Sequence, residues 1–390
     1  MVFNNKKLKD INKDDVEQLI TDKVIECKVI DYKQELPGGK DADKKEFLYD
    51  VSSFANASGG HMLFGIVEDK GLPTKIIGLK NIDPDNEKTR LESIIKSGIS
   101  PRIPGIEIMA VNIDINTWLI IIQIQKSWAQ PHMVSFQDAS RFYSRHSSGK
   151  YLLDVDEIRT QFNLSEAIGE RIKNFREKRL SMIISEETPV PMYKNAKIVL
   201  HIIPISAFAT SSKFDLTTRD LNTNCKPLCS PGWNYRYNFD GHLSYCAYRY
   251  DGTLPIASYF QLFRNGIIET VDSQMLMTKI VPLMYEKEIL EVIPRYMKIY
   301  DELGIAPPAL IMLSLVGVKG YSMETNRPKY TVIDPMSIDR DILVVPEILI
   351  DEFNIDFAKI LRPIFDSVWN AAGWKNSLNY NASGDWVEHR

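Results

Sequence analysis

Cysteine is scarce: the chain of 390 residues has four, Cys27, Cys225, Cys229 and Cys246. That is too few for a disulfide framework and points to a reducing compartment. A basic excess is missing as well. Lys and Arg total 47 against 51 Asp and Glu, a net charge of −4. No overall charge advertises nucleic acid, although a local basic groove can sit inside a neutral protein. Long apolar runs are absent too. Trp118–Ile122 and Ile305–Val316 are too short or too mixed to span a bilayer. The first fifteen residues carry no apolar core of the kind a secretory signal needs. These absences lead to the expectation of a cytoplasmic protein with no membrane partner. Internal repeats and low-complexity segments are also missing.

What is present is an ordinary globular composition, 44% apolar and 25% charged. The length suits two domains. We expect an N-terminal domain over 1–165, a basic helical linker over 166–193 and a C-terminal α+β domain over 194–390. Two prolines in Glu187–Pro191 mark the boundary. In the first domain, Asn12 or Asp14 can cap a helix over Asp15–Thr21. Lys28–Glu35 reads as a strand. Asp43 and Glu46 have capping-box spacing. Phe47, Leu48, Val51, Phe54 and Ala55 share one face of the helix that follows. Ala57-Ser58-Gly59-Gly60 stops that helix, and His61–Val67 reads as a strand. Later segments give a third helix (Asn86–Ile99), several strands, a short helix over Asp154–Phe162 and a Lys/Arg-rich helix over Ser165–Met182. Neighbouring strands often lack a helix between them. The expected class is therefore α+β with a mixed sheet and a second α+β domain behind it.

Three ordered motifs carry a resemblance: Asp31-Tyr32-Lys33, then Glu46 through Phe54-Ala55-Asn56-Ala57-Ser58-Gly59-Gly60, then Leu63-Phe64-Gly65-Ile66. Pro131-His132 and Phe142-Tyr143-Ser144-Arg145 follow. The set resembles the Schlafen/AlbA-like domain over roughly residues 13–163, and the C-terminal half is not covered. The resemblance implies either DNA-binding or ATP-binding regulation, or an RNA endonuclease that cuts tRNA-like substrates with three carboxylates and Mg²⁺ or Mn²⁺. It also implies an antiviral setting, with a phage-derived trigger and a homodimer that supplies the second lobe of an RNA clamp.

Glu26 and Asp31 have the family's five-residue spacing, and Glu68 or Asp69 supplies the third acid. Glu26, Asp31 and Asp69 would hold the ion, and Lys33 would offset charge in the transition state. Residues an odd number apart on one strand face opposite ways, so Glu26 meets Asp31 only if the chain bends near Glu26-Cys27. Against this stands a reading of Asp31 and Lys33 as an exposed pair and of Glu68-Asp69 as a turn. Asp50 reads as structural. Lys28, Arg145, Lys173 and Arg176 are the expected backbone-binding cations, with Arg141 and Lys150 beside them. Gly59-Gly60 ends a helix where a phosphate loop would begin one, so the residues themselves give ATP no support. Cys225, Cys229, His242 and Cys246 have zinc-like spacing. His242–Cys246 reads as strand, where the span is too long for one ion, so zinc is not expected. His132 reads as a packed or capping residue, with a proton donor as the alternative. Trp233, Tyr235, Tyr237, Tyr245, Tyr248 and Tyr250 read as alternation in a half-buried sheet, with base stacking as the alternative.

Overall fold

The computed structural model describes residue 3 and residues 6–388, apart from 148, 209–213, 218–220, 247–253, 277–278 and 325–336. Tyr248 and Tyr250 lie outside the described residues. Contacts divide the chain into two units, Met1–Ala167 and Ile168–Arg390.

The first unit opens with α1 (Lys13–Thr21), capped reciprocally by Asn12 and Asp15. β1 (Ile30–Lys33), α2 (Asp41–Ala55) and β2 (Gly59–Phe64) form a crossover whose strands pair in parallel. β3 (Ile66–Asp69) and β4 (Leu72–Ile76) make a hairpin. Then come β5 (Leu79–Lys80), α3 (Pro84–Gly98), β6 (Ile99–Ser100), β7 (Ile106–Asp114) and β8 (Thr117–Gln125). β9 (Met133–Val134), β10 (Arg141–His146) and β11 (Gly149–Leu152) pair with β6 in a second sheet. The main sheet runs β1-β2-β8-β5, with β7 also on β8. Its β1–β2 pair is parallel and the rest are antiparallel, so the sheet is mixed, as expected.

Both faces of this sheet are covered, which explains the unbroken apolar run in β8. Ile120, Ile122 and Ile124 pack with Phe47, Leu48, Val51 and Phe54 of α2 and with Leu91 and Ile95 of α3. Leu119 and Ile121 pack with Val16 and Leu19 of α1 and with Ile30 and Tyr32 of β1. Two local expectations change. α2 begins at Asp41 with no side-chain cap, so Asp43 and Glu46 form no capping box. β1 is shorter than Lys28–Glu35, because Cys27 and Ile30 bridge across a turn before it.

The two helices expected over 154–182 are one helix, α4 (Val155–Ile184), thirty residues long. Helical backbone therefore runs through most of 166–193. In the second unit, β12 (Lys197–Pro204), β13 (Trp233–Tyr237), β14 (Gly241–Cys246), β15 (Ser258–Phe263) and β16 (Ile268–Asp272) precede α5 (Pro282–Leu303). β17 (Ala309–Val316), β18 (Ile342–Val344), β19 (Ile348–Ile350) and α6 (Phe357–Ala371) follow. Together they form an antiparallel sheet ordered β13-β14-β15-β16-β12-β17-β18, with β19 also on β17. Ile198, Leu200, Phe260 and Ile268 face α5 and α6 across the largest core. Val199, Tyr259 and Val271 pack with Leu180 and Ile183 of α4. Trp233, Tyr235 and Tyr237 are not core. They stand on the edge strand, where Tyr235 is 49% exposed and Tyr237 44%. Among the described residues no helix is long and apolar enough to cross a membrane.

Candidate functional site

The bend that Glu26 needs is present. Cys27 and Ile30 exchange backbone hydrogen bonds at 3.1 and 3.3 Å, which folds the chain back along the outer edge of β1. The Glu26 N–H donates to the Gly71 carbonyl at 2.7 Å, fixing the bend to the β3–β4 turn. Oε1 of Glu26 then accepts the outward-pointing Tyr32 N–H at 2.7 Å. Its carboxyl meets that of Asp31. Five residues of spacing thus bring the two acids together.

Asp31 and Lys33 share a face of β1 beneath α2 and beside β10. Asp31 is 4% exposed. Oδ1 receives Lys33 Nζ at 3.0 Å, and Oδ2 receives Nη1 and Nη2 of Arg145 at 3.4 Å each. Arg145 is 5% exposed and stacks over Phe54 at 3.7 Å. Lys33 also stands 3.8 Å from Asp50, which receives Lys150 at 2.8 Å, and Lys150 in turn reaches Glu46. Cations and carboxylates therefore alternate from β1 to α2 to the β10–β11 hairpin. The structural role read for Asp50 is its place in this chain.

Burial and pairing push the two acids apart. Glu26 is pushed up to about 7, first by burial and then by its hydrogen bond with Asp31. Burial would raise Asp31 too, but Lys33, Glu26 and Arg145 hold it below the ordinary carboxylate range. Burial would pull Lys33 down, but Asp50 and Asp31 keep it above the usual lysine value. The result is a carboxyl poised near neutrality, an ionised carboxylate and an ammonium whose side chain is 39% exposed.

The third acid does not join them. Glu68 and Asp69 are exposed at the end of β3, and Glu68 caps the turn by accepting the Gly71 N–H. Among the described residues no three or more His, Cys, Asp or Glu side chains are grouped to hold a metal ion. Both oxygens of Asp31 already face cations. As arranged, Glu26, Asp31 and Asp69 do not present a three-carboxylate centre that fits Mg²⁺ or Mn²⁺.

The expected backbone-binding cations separate. Lys28 is exposed. Arg145 is buried on Asp31 and Phe54, so it positions the site and presents nothing to a phosphate. Arg176 is 5% exposed, and its guanidinium donates to the Leu313 and Val345 carbonyls at 2.6 and 2.8 Å and to Ser314 Oγ. Its expected role on a nucleic-acid backbone is thereby overturned. Lys173 is exposed and stands 4.0 Å from Glu177. His132 is fully buried, with Nδ1 on the Pro101 carbonyl at 2.8 Å, and burial drives its pKa down to about 4. The ring is therefore neutral and packed. Asn56 explains the motif around it: Oδ1 accepts the His132 N–H at 2.7 Å, and Nδ2 donates to the His132 and Tyr143 carbonyls. Sequence reasoning missed Lys126 and Trp128, whose only signal was a basic-aromatic pair just beyond an apolar strand.

The first unit thus combines a βαβ crossover in a mixed sheet with an acid–Lys strand under an Asn-x-x-Gly-Gly helix end. Residues 26–154 match the family model described as Schlafen, AlbA_2, so that stretch of the chain is similar to this family's domain. Two solved structures are similar over 36% of this chain, each at 18% identity. One is the DIP2311 protein from Corynebacterium diphtheriae, with a TM-score of 0.26. The match covers 26% of that protein, so this chain spans about a quarter of its length. The other is the N-terminal domain of a RecG-related protein from Nitrosomonas europaea, with a TM-score of 0.24 and 92% of that chain covered. No curated protein matches the chain.

Proposed function

We propose that the first unit is an RNA endonuclease domain acting on structured RNA such as tRNA, with Glu26 as proton acceptor. The observation that carries this reading is the contact of Glu26 with Asp31 beside Lys33. Two carboxyls whose environments drive them in opposite directions are the arrangement that acid–base chemistry uses. An acceptor near 7 is matched to work at neutral pH. Ionised Glu26 takes the proton of a ribose 2′-hydroxyl. The 2′ oxygen bonds to the adjacent phosphorus, the P–O5′ bond breaks, and a 2′,3′-cyclic phosphate remains. The 5′ oxygen leaves with a proton from solvent or from Lys33, whose charge offsets that of the phosphorane. Asp31 holds Lys33 in place.

The test is incubation of the full chain with total tRNA in Mn²⁺, Mg²⁺ or EDTA, beside Glu26→Gln. Fragments with cyclic phosphate ends are expected in all three conditions, at least about 100-fold slower in the variant. Fragments undiminished in Glu26→Gln would remove Glu26 from the chemistry. Fragments that vanish in EDTA would restore a metal ion and overturn the proton-acceptor scheme.

A second reading, a non-catalytic nucleic-acid-binding regulator, is favoured by one observation: Lys33 and Arg145 occupy both oxygens of Asp31. It predicts bound tRNA or DNA and no fragments under any condition.

A further inference from the structure

Lys28 and Lys126 come from distant parts of the chain, yet the first unit holds them together. Two glycines cause this. At Gly59, with φ +70°, a Cβ would fall 2.5 Å from the Lys126 nitrogen. At Gly60, a Cβ would fall 2.5 Å from the Val29 carbonyl oxygen. Only glycine lets the turn before β1 and the end of β8 crowd the same end of β2. The His61 N–H then donates to the Val29 carbonyl at 2.9 Å, and Gly59 faces Gln125 across the ladder.

Both lysines are exposed, and neither forms an ion pair among the described residues. Burial of its stem, and then the charge of Lys28, pull the Lys126 pKa below the usual lysine value. No carboxylate offsets that repulsion. Beside them lies Trp128, with Lys126 Nζ 4.3 Å from its ring centre. The indole is half-exposed, and its N–H has no acceptor among the described residues. Its loop is fixed: the Ser127 N–H donates to the Ala55 carbonyl and Ser127 Oγ accepts the Ala129 N–H, both at 3.1 Å.

We propose that Lys28, Lys126 and Trp128 form a nucleotide site for a single RNA strand, with a phosphate between the lysines and a base on the indole. Like charges held together without an acid create a local positive potential that an anion relieves. An aromatic platform next to a phosphate site is how single strands are bound without base-edge readout. Lys28 lies two residues from Glu26, across the turn that Cys27 and Ile30 bridge. The site rests on the nucleic-acid reading of this unit and is independent of cleavage by Glu26.

The experiment is an anisotropy titration of the full chain with a labelled single-stranded RNA of about ten nucleotides, a length that spans an ordinary single-strand site. Lys28→Glu, Lys126→Glu, Trp128→Ala and, as a control on β5, Lys80→Glu are compared, with thermal melts to confirm folding. We expect each reversal at Lys28 or Lys126 to weaken binding at least tenfold and to lower the salt slope by roughly 0.7. Trp128→Ala should lose about tenfold, and Lys80→Glu should bind as the parent does. A parent that binds RNA while all variants match it overturns the site and leaves the nucleic-acid reading standing. A parent that binds no RNA overturns both. Loss at the lysines with an unchanged Trp128→Ala overturns the base platform and leaves an anion site.

Discussion

Asp31 and Glu26 lie in contact yet answer different questions. Asp31 is buried, and so is its partner Arg145. Asp31→Ala would strand a buried guanidinium over Phe54 without its counter-charge. Breaking a buried pair from one side costs about 3–5 kcal/mol. Asp31→Ala is expected to lower the denaturant midpoint by that measure, and an unchanged midpoint would show that Asp31 does not hold Arg145. Glu26 is half-buried and carries a pH signature instead. Its pKa is about 7 in the fold against 4.5 in the open chain. Between those values the folded chain keeps a proton that the unfolded chain has lost. The raised value therefore contributes stability fully below about 4.5, and that contribution is lost as pH rises through about 7. Glu26→Gln has no such proton to lose, so its melting temperature should gain on the parent across that window. A constant difference would show that Glu26 is not shifted. The spacing of these two acids was legible in the sequence. The turn at Cys27 that joins them was not, because it depends on the Gly71 carbonyl far along the chain. Arg145 misled for a related reason. Alternation on a strand says which residues share a face, not whether a helix covers it.

At the scale of elements, α4 shows what a run of charge conceals. The sequence reads as two helices, over Asp154–Phe162 and Ser165–Met182, the second rich in Lys and Arg. Burial of Ile168, Ile172, Leu180 and Ile183 overrides that local signal. Two of the arginines face inward. Arg179 makes a bidentate pair with Glu269 at 2.8 and 2.7 Å, and Glu269 also meets His201 at 2.9 Å and Tyr259 at 2.7 Å. Glu269 is fully buried. Burial would raise its pKa, but Arg179 and His201 hold it at about 2. Arg179→Met should therefore cost about 3–5 kcal/mol in chemical denaturation, because the carboxylate keeps its burial and loses its main cation. Replacing Glu269 as well should recover much of that loss, since a buried pair is often no better than an apolar one. A double variant as weak as the single would mean that packing at α4, not the stranded charge, sets the cost. The aromatic alternation of β13 failed in the opposite sense. Period-two patterning is the same on a central strand and on an edge, and only the pairing of β14 with β13 on one side and β15 on the other separates them.

The whole molecule is close to neutral, which limits how it can hold a polyanion. With 51 acidic against 47 basic residues, no general field draws RNA in, and attraction must come from a local set of cations. Of the four cations expected from sequence to meet a backbone, Arg145 and Arg176 are consumed inside the fold. Lys28 remains in the first unit, joined by Lys126 and by the exposed part of Lys33. Two or three phosphate contacts predict a modest salt dependence. For a single strand each contact contributes roughly −0.7 to the slope of log K against log salt, so a fourfold rise in salt should weaken binding by about tenfold. Titrations of the full chain with single-stranded RNA at about 50 and 200 mM salt measure this directly. A loss of about a thousandfold would require about seven contacts, many more than these lysines supply. A loss near tenfold would confine the electrostatic contact to the few lysines around β1 and leave the rest of the affinity to stacking, which salt does not screen.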